Sequence, residues 1–216
     1  MTDRIAITAV RATNNGYELT ISTLEEPLLV SPSIYHRHRL KEGIVITPPQ
    51  LQQLIAESAR EVCEQTVARL LGFREHSVAE MRRKLKQRQF ASEVIEEILR
   101  KYVRNGLLDD ARYGERLARK TLERKPSGRA FVLSVLQRKG IDRELAGEIV
   151  DRLFEKTDET DLAMAALESR WSRWAEIDVE TARRRAYNYL SRRGIGYEAA
   201  KAAFEKLHRR TSEVED

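Results

Sequence analysis

Leu85-Lys-Gln-Arg-Gln-Phe90, Leu136-Gln-Arg-Lys-Gly-Ile141 and Leu190-Ser-Arg-Arg-Gly-Ile195 are three versions of one six-residue segment, spaced by 51 and 54 residues. The likeness runs on downstream. Nine residues after Phe90, Ile141 and Ile195 stand Leu99, Val150 and Phe204, and twelve residues after them stand Tyr102, Leu153 and Leu207. Self-similarity at such a period marks a repeat architecture, in which one unit recurs and each copy buries its apolar face on its neighbours.

Each copy reads as three helices. The first helices span about 59–71, 110–123 and 161–174, and the repeated segment ends the second. In the first copy that second helix opens with Ser77-Val-Ala-Glu80, a capping box whose hydroxyl and carboxylate satisfy backbone donors. The second copy opens it after Lys125-Pro126-Ser127-Gly128 and the third after Asp178. Gly140 and Gly194 permit the left-handed conformation that ends a helix, and Gln89 must make the same turn in the first copy. Third helices follow from near Ser92, Asp142 and Tyr197.

Upstream the pattern changes. Ile5, Ile7 and Ala9 alternate with polar residues, Asn15-Gly16 follows, and Tyr17, Leu19 and Ile21 alternate again, which is a hairpin signal. Leu28-Leu29-Val30 adds a strand, and Gly43 and Val45 close a small antiparallel sheet that needs a helix to cover it. Thr47-Pro48-Pro49 supplies an N-cap with proline in the first turn, and the apolar stripe from Leu51 to Leu71 continues that helix. The expected fold is mainly α: three tandem three-helix repeats in an elongated curved array, with a small N-terminal antiparallel β-sheet. The expected divisions are a β extension over 1–46, a linker helix with repeat 1 over 47–109, repeat 2 over 110–157, repeat 3 over 158–210 and a disordered tail over 211–216.

The chain has 216 residues, 34% charged and 41% hydrophobic, too polar for a membrane protein and too apolar for a disordered one. No apolar run approaches a spanning length, and the start lacks the order of a secretory signal, so a cytoplasmic protein is expected. The lone cysteine, Cys63, sits on an apolar helical stripe, where a buried, unreactive thiol is expected. The 39 basic and 34 acidic residues give +5, compatible with a polyelectrolyte partner but too balanced for a simple DNA-coating surface.

The residues resemble the RecX family, regulators of the RecA recombinase. The matching features are Leu71-Gly-Phe-Arg74-Glu-His-Ser77 followed by Glu80 and Leu85, then Asn105-Gly106-Leu-Leu-Asp109-Asp110 with Tyr113, and then Lys139-Gly140-Ile141 and Arg193-Gly194-Ile195. Order and spacing match over roughly residues 60 to 208. The sheet ending in Leu40-Lys-Glu-Gly43 and the helix after it look like an amino-terminal extension carried by many members. Gln89 departs from the family, where glycine is common, as do Arg112 and Gly114 beside Tyr113. The resemblance implies a non-enzymatic protein acting in DNA repair, homologous recombination and the SOS response; no ligand set for a metal and no cofactor motif stands in the sequence, and no leftover apolar face demands a dimer, so a monomer without cofactor or metal is expected. It would lie in the groove of a RecA filament on single-stranded DNA and inhibit filament extension, ATP hydrolysis, strand exchange and coprotease activity. Weak binding to single- or double-stranded DNA is compatible with it.

The densest cationic cluster holds Arg82, Arg83, Lys84, Lys86 and Arg88, and basic pairs recur at the other helix ends as Arg138 with Lys139 and Arg192 with Arg193. Arg82, Arg83, Lys86, Arg88, Arg138, Lys139, Arg192 and Arg193 are therefore the candidate contacts to RecA or to phosphate. The competing account is a solvated face whose cations complement a helix C-terminus. Trp171, Trp174, Tyr187 and Tyr189 suit packing better than base stacking, and His36, His38, His76 and His208 read as surface residues. Asp109-Asp110 reads as an N-cap and a first-turn acid, leaving no catalytic candidate. A helical-repeat protein that binds nucleic acid directly is the alternative, and a metal-dependent hydrolase built on Asp109 and Asp110 is a remote third.

Overall fold

A computed structural model describes residues 4–14 and 16–212. Asn15 of the hairpin signal and residues 213–216 of the expected tail lie outside the described residues. The elements are β1 (Ile5–Thr13), β2 (Gly16–Ile21), β3 (Leu28–Val30), α1 (Pro32–Arg37), β4 (Val45–Ile46), α2 (Pro48–Phe73), α3 (Val78–Lys86), α4 (Ser92–Arg104), α5 (Asp110–Arg124), α6 (Arg129–Arg138), α7 (Arg143–Phe154), α8 (Glu159–Ala175), α9 (Val179–Ser191) and α10 (Tyr197–Ser212). The mainly helical fold with a small N-terminal antiparallel sheet is as the sequence predicts. No helix among the described residues is long and apolar enough to cross a membrane. The chain divides into two compact units, one formed by residues up to 75 with 81–105 and the other by 76–80 with 106 onward.

In the first unit the strands order as β3-β2-β1-β4, all antiparallel, with Ala12 opposite Tyr17 and Leu19 opposite Leu28. Alternation puts Ile5, Ile7, Leu19 and Ile21 on one face, where they pack with Ile34 and Leu40 and with Leu51 and Leu54 of α2. The short helix α1, unforeseen from the sequence, is capped by Ser31 and contributes Ile34 to that core. Thr47 and Gln50 form a reciprocal capping box at the start of α2. The 26 residues of α2 run without interruption from the sheet into repeat 1. There Cys63 and Val67 are buried, as are Met81 and Leu85 of α3 and Ile95, Leu99 and Tyr102 of α4.

Within the second unit, α5, α6 and α7 surround Val132, Leu136, Ile141, Ile149 and Val150, and α8, α9 and α10 surround Leu167, Trp174, Ala186, Leu190 and Phe204. Gly114 is buried within α5 because Ile149 Cδ1 of α7 lies 2.7 Å from where its side chain would begin. The caps are acidic: Asp142 accepts from Glu144 N at 2.8 Å, Asp158 from Thr160 N at 2.7 Å and Asp178 from Thr181 N at 2.9 Å. These backbone donors hold Asp158 and Asp178 below the ordinary carboxylate range.

The helix-end turns share one geometry. Phe90 N, Ile141 N and Ile195 N each donate back to Leu85, Leu136 and Leu190, and the residues before them have positive φ: 62° at Gln89, 82° at Gly140 and 66° at Gly194. Two of the turns also join repeats. Lys139 O accepts from the Ser77 hydroxyl at the start of α3, and Arg193 O accepts from Gly128 N at the start of α6, at 2.8 Å. A Cβ on Gly140 would lie 2.5 Å from that of Ala79, and one on Gly194 would collide with the backbone nitrogen of Phe131. Gln89 is exposed and meets no such neighbour, so a side chain is tolerated there at the cost of backbone strain alone.

Two outcomes follow for stability. Gly140→Gln should lower it by roughly 2 kcal/mol or more, because overpacking adds to the left-handed strain, whereas Gln89→Gly should raise it by about 1 kcal/mol, both read from urea unfolding. Burial pushes the Cys63 thiol up to about 11, so it should resist a thiol reagent at pH 8 in the folded chain and react once denaturant is added.

Candidate functional site

The eight candidate cations separate into those the fold uses internally and those it leaves facing solvent. Arg82 of α3 grips Glu96 of α4 through two parallel hydrogen bonds, Nε to Oε1 at 2.6 Å and a terminal nitrogen to Oε2 at 2.9 Å. Those bonds, ahead of the charges of Arg82, Lys86 and Arg100, hold Glu96 below the ordinary carboxylate range. Arg193 is half-buried, donates to Pro126 O at 3.0 Å and stacks on Tyr189 at 4.6 Å, with Arg170 also 4.6 Å from that ring. Arg82 and Arg193 thus brace repeat 1 and the junction of repeats 2 and 3 respectively.

The remaining candidates lie at helix ends. In α3, Arg83 and Lys86 are exposed, and Arg88 reaches back to Lys84 O at 2.9 Å, completing the C-terminus of the helix. At the end of α6, Arg138 is exposed and donates to Ser134 O at 3.3 Å. Lys139 is half-buried, its carbonyl spent on Ser77. Arg192 at the end of α9 is exposed. Among the described residues, Arg83, Lys86 and Arg192 hold no side-chain hydrogen bond or ion pair.

Within the second unit the spacing of these ends follows from the docking. The turn holding Arg192 and Arg193 sits at the start of α6 and the turn holding Arg138 and Lys139 at its end, so about 15 Å, one helix of ten residues, separates them. Each turn places cations where the carbonyl end of a helix leaves partial negative charge, which stabilises them whether or not a partner is bound.

Residues weighed for other chemistry are occupied structurally. Asp109 caps α5 by accepting from Arg112 N at 2.9 Å, and Asp110 accepts from Val78 N at 2.8 Å, capping α3. That second role is long-range and has no sequence signal. Trp174 is buried, and Trp171 donates to the Thr211 hydroxyl at 2.7 Å while packing edge-on to Phe204. His36 and His208 are exposed, but two histidines expected at the surface are not. His76 is 3% exposed at the repeat junction, and His38 is half-buried, its Nε2 2.8 Å from Glu57. Among the described residues no three His, Cys, Asp or Glu side chains gather as metal ligands do.

Comparison with known proteins agrees with this architecture. A family model described as "RecX, first three-helix domain" matches residues 61–101. The "Regulatory protein RecX" of Pelodictyon phaeoclathratiforme is 32% identical over 139 residues, 64% of this chain and 84% of that protein. The protein of the same name from Trichlorobacter lovleyi is 30% identical over 145 residues, 67% of this chain and 94% of its own length. Two solved structures share the fold. A crystal structure of a regulatory protein RecX has a TM-score of 0.68 at 16% identity, covering 93% of this chain and 99% of that one. RecX from Lactobacillus salivarius has a TM-score of 0.63 at 19% identity, covering 69% and 96%. With identities of 32% and 30% over 84% and 94% of the length of two regulatory proteins, the chain belongs to the RecX family.

Proposed function

We propose that this chain is a negative regulator of RecA that binds the RecA filament on single-stranded DNA and inhibits its extension, ATPase, strand exchange and coprotease activities, without chemistry of its own. The observation that carries this reading is the recurrence of an exposed cation at each helix-end turn: Arg83 and Lys86, then Arg138, then Arg192. Repeated modest contacts suit a partner that is itself repetitive, since contacts made by linked modules act together. Membership of a family of regulatory proteins supports a regulatory rather than catalytic role, as does the use of Asp109 and Asp110 as helix caps. Arg82 and Arg193 then act as positioning residues that hold the turns in place.

Direct binding to DNA is the second reading. Arg184 and Arg185 are exposed on α9 and Arg192 is exposed at its C-cap, a set of cations suited to phosphates. It requires tight binding to naked single strands that falls steeply with salt, because neutralised phosphates release counterions.

The deciding measurement is the DNA-dependent ATPase of RecA, with this protein added below one molecule per RecA monomer after filaments form. Inhibition at such low ratios, with affinity for naked DNA too weak to explain it, is the expected result; no inhibition together with tight, salt-sensitive DNA binding would hand the role to the second reading. Reversing Arg83, Lys86, Arg138 and Arg192 to Glu should weaken inhibition about tenfold or more, ~1.4 kcal/mol, in a chain that is still folded at the assay temperature, with only a modest loss of stability because acids replace cations at helix C-termini. Arg82→Ala should instead cost up to about 1 kcal/mol of stability. Because Glu96 is more acidic folded than unfolded, the contribution of that pair is present above the carboxylate range and lost as pH falls through it, so Arg82→Ala should flatten the acid side of the stability profile.

A further inference from the structure

The contact that joins one repeat to the next has two halves. One is a helix-end turn with glycine at its left-handed position and a carbonyl just before it; the other is the start of the second helix in the preceding repeat, which offers an unspent donor and a small surface. Gly140 with Lys139 O meets Ser77 and Ala79, and Gly194 with Arg193 O meets Gly128 and Ala130. Two halves are left over, the turn of repeat 1 and the second-helix start of repeat 3, and both depart from the pattern.

At the turn of repeat 1 the backbone is the same, but Gln89 carries a side chain at φ 62° where docking leaves no room for a Cβ. The departure in repeat 3 is one of length. Ser77 and Gly128 each stand eight residues before the leucine of the shared segment, whereas Asp178, the cap of α9, stands twelve before Leu190. The helix has gained one turn at its N-terminus. The position matching Gly128 is Ala182, whose N–H is spent on Asp178 O at 2.9 Å, and the position matching Ala130 is Arg184. An incoming carbonyl would find no donor there, and the added turn with its exposed Glu180 would lie in its way.

We infer that Gln89 and the extra first turn of α9 are terminators: they close the two unused halves of the repeat-joining contact and so keep a second copy of this chain from adding head to tail. A contact with two different halves that does not close into a ring propagates without limit, so an array with open ends would grow into filaments. Terminal units that differ from the internal ones are how repeat proteins stay finite. The number of cationic turns each chain presents is thereby held at three.

The test is sedimentation velocity of the full chain over a hundredfold concentration range. One variant opens the turn, Gln89→Gly. Another grafts the Pro126–Ala130 pattern onto repeat 3 by Glu180→Pro, Thr181→Ser, Ala182→Gly and Arg184→Ala, leaving Arg183, which matches Arg129. The natural chain and each variant alone should sediment as monomers. Their equimolar mixture should form a one-to-one complex and nothing larger, and the chain carrying both changes should show a sedimentation coefficient that climbs with concentration without a plateau. Circular dichroism confirms that each variant is folded, and should the graft unfold, a second pair replaces it: the separate Arg184→Ala chain, expected to stay monomeric with Gln89→Gly because the added turn still blocks it, and natural α9 shortened by deleting 178–181, expected to pair with it. A folded double variant that remains monomeric throughout, or a natural chain that already self-associates, overturns the inference.

Discussion

Within the second unit, a carbonyl oxygen one residue before a left-handed turn is the point at which each helix-end turn docks on the start of an earlier helix. Lys139 O accepts from the Ser77 hydroxyl at the start of α3, and Arg193 O accepts from Gly128 N at the start of α6, a backbone donor that the N-terminal turn leaves without an intrahelical acceptor. Extensive helix-to-helix packing otherwise lies inside repeats: α2 with α4, α5 with α6 and α7, and α8 with α9 and α10. Leu162 of α8 adds an apolar contact to the repeat 2 core. At these docking turns no Cβ is tolerated on Gly140 or Gly194.

That constraint also sorts the charges. A helix C-terminus attracts cations, and a turn that must dock by its backbone leaves its side chains pointing away from the junction or braced along it. Arg193 is braced, lying over Tyr189 and bonded to Pro126 O, while its neighbour Arg192 is exposed. In repeat 1 the division falls between Arg82, bound to Glu96, and Arg83, which is exposed. Adjacent arginines, alike in the sequence, thus hold opposite duties: in α3 successive positions are about 100° apart and only Arg82 faces α4, whereas Arg193 lies in the turn past the end of α9 and is directed to Pro126 and Tyr189.

Much of the fold was legible because its signals are local or periodic. The three segments from Leu85, Leu136 and Leu190 announce a repeat, apolar spacing gives the helices, and Asp109, Asp142 and Asp178 mark helix starts by their own short-range bonds. The short helix α1 leaves no periodic signal because Pro32–Arg37 is too brief for one to show. The burial of His76 leaves no periodic signal, and Asp110, a first-turn acid of α5 as its position indicates, takes a further bond from Val78 N that spans 32 positions and has no local mark.

The sequence alone determined the helical class, the threefold repetition, the leading sheet and the places where cations gather, since composition, periodicity and capping are properties of neighbouring residues. Tertiary structure decided which cations brace the protein and which face solvent, why glycine is required at 140 and 194 but not at 89, and where the donors of Ser77 and Gly128 are spent. Those outcomes are set by distances between segments tens of residues apart, and steric exclusion and hydrogen-bond pairing across such gaps exist only once the chain has folded.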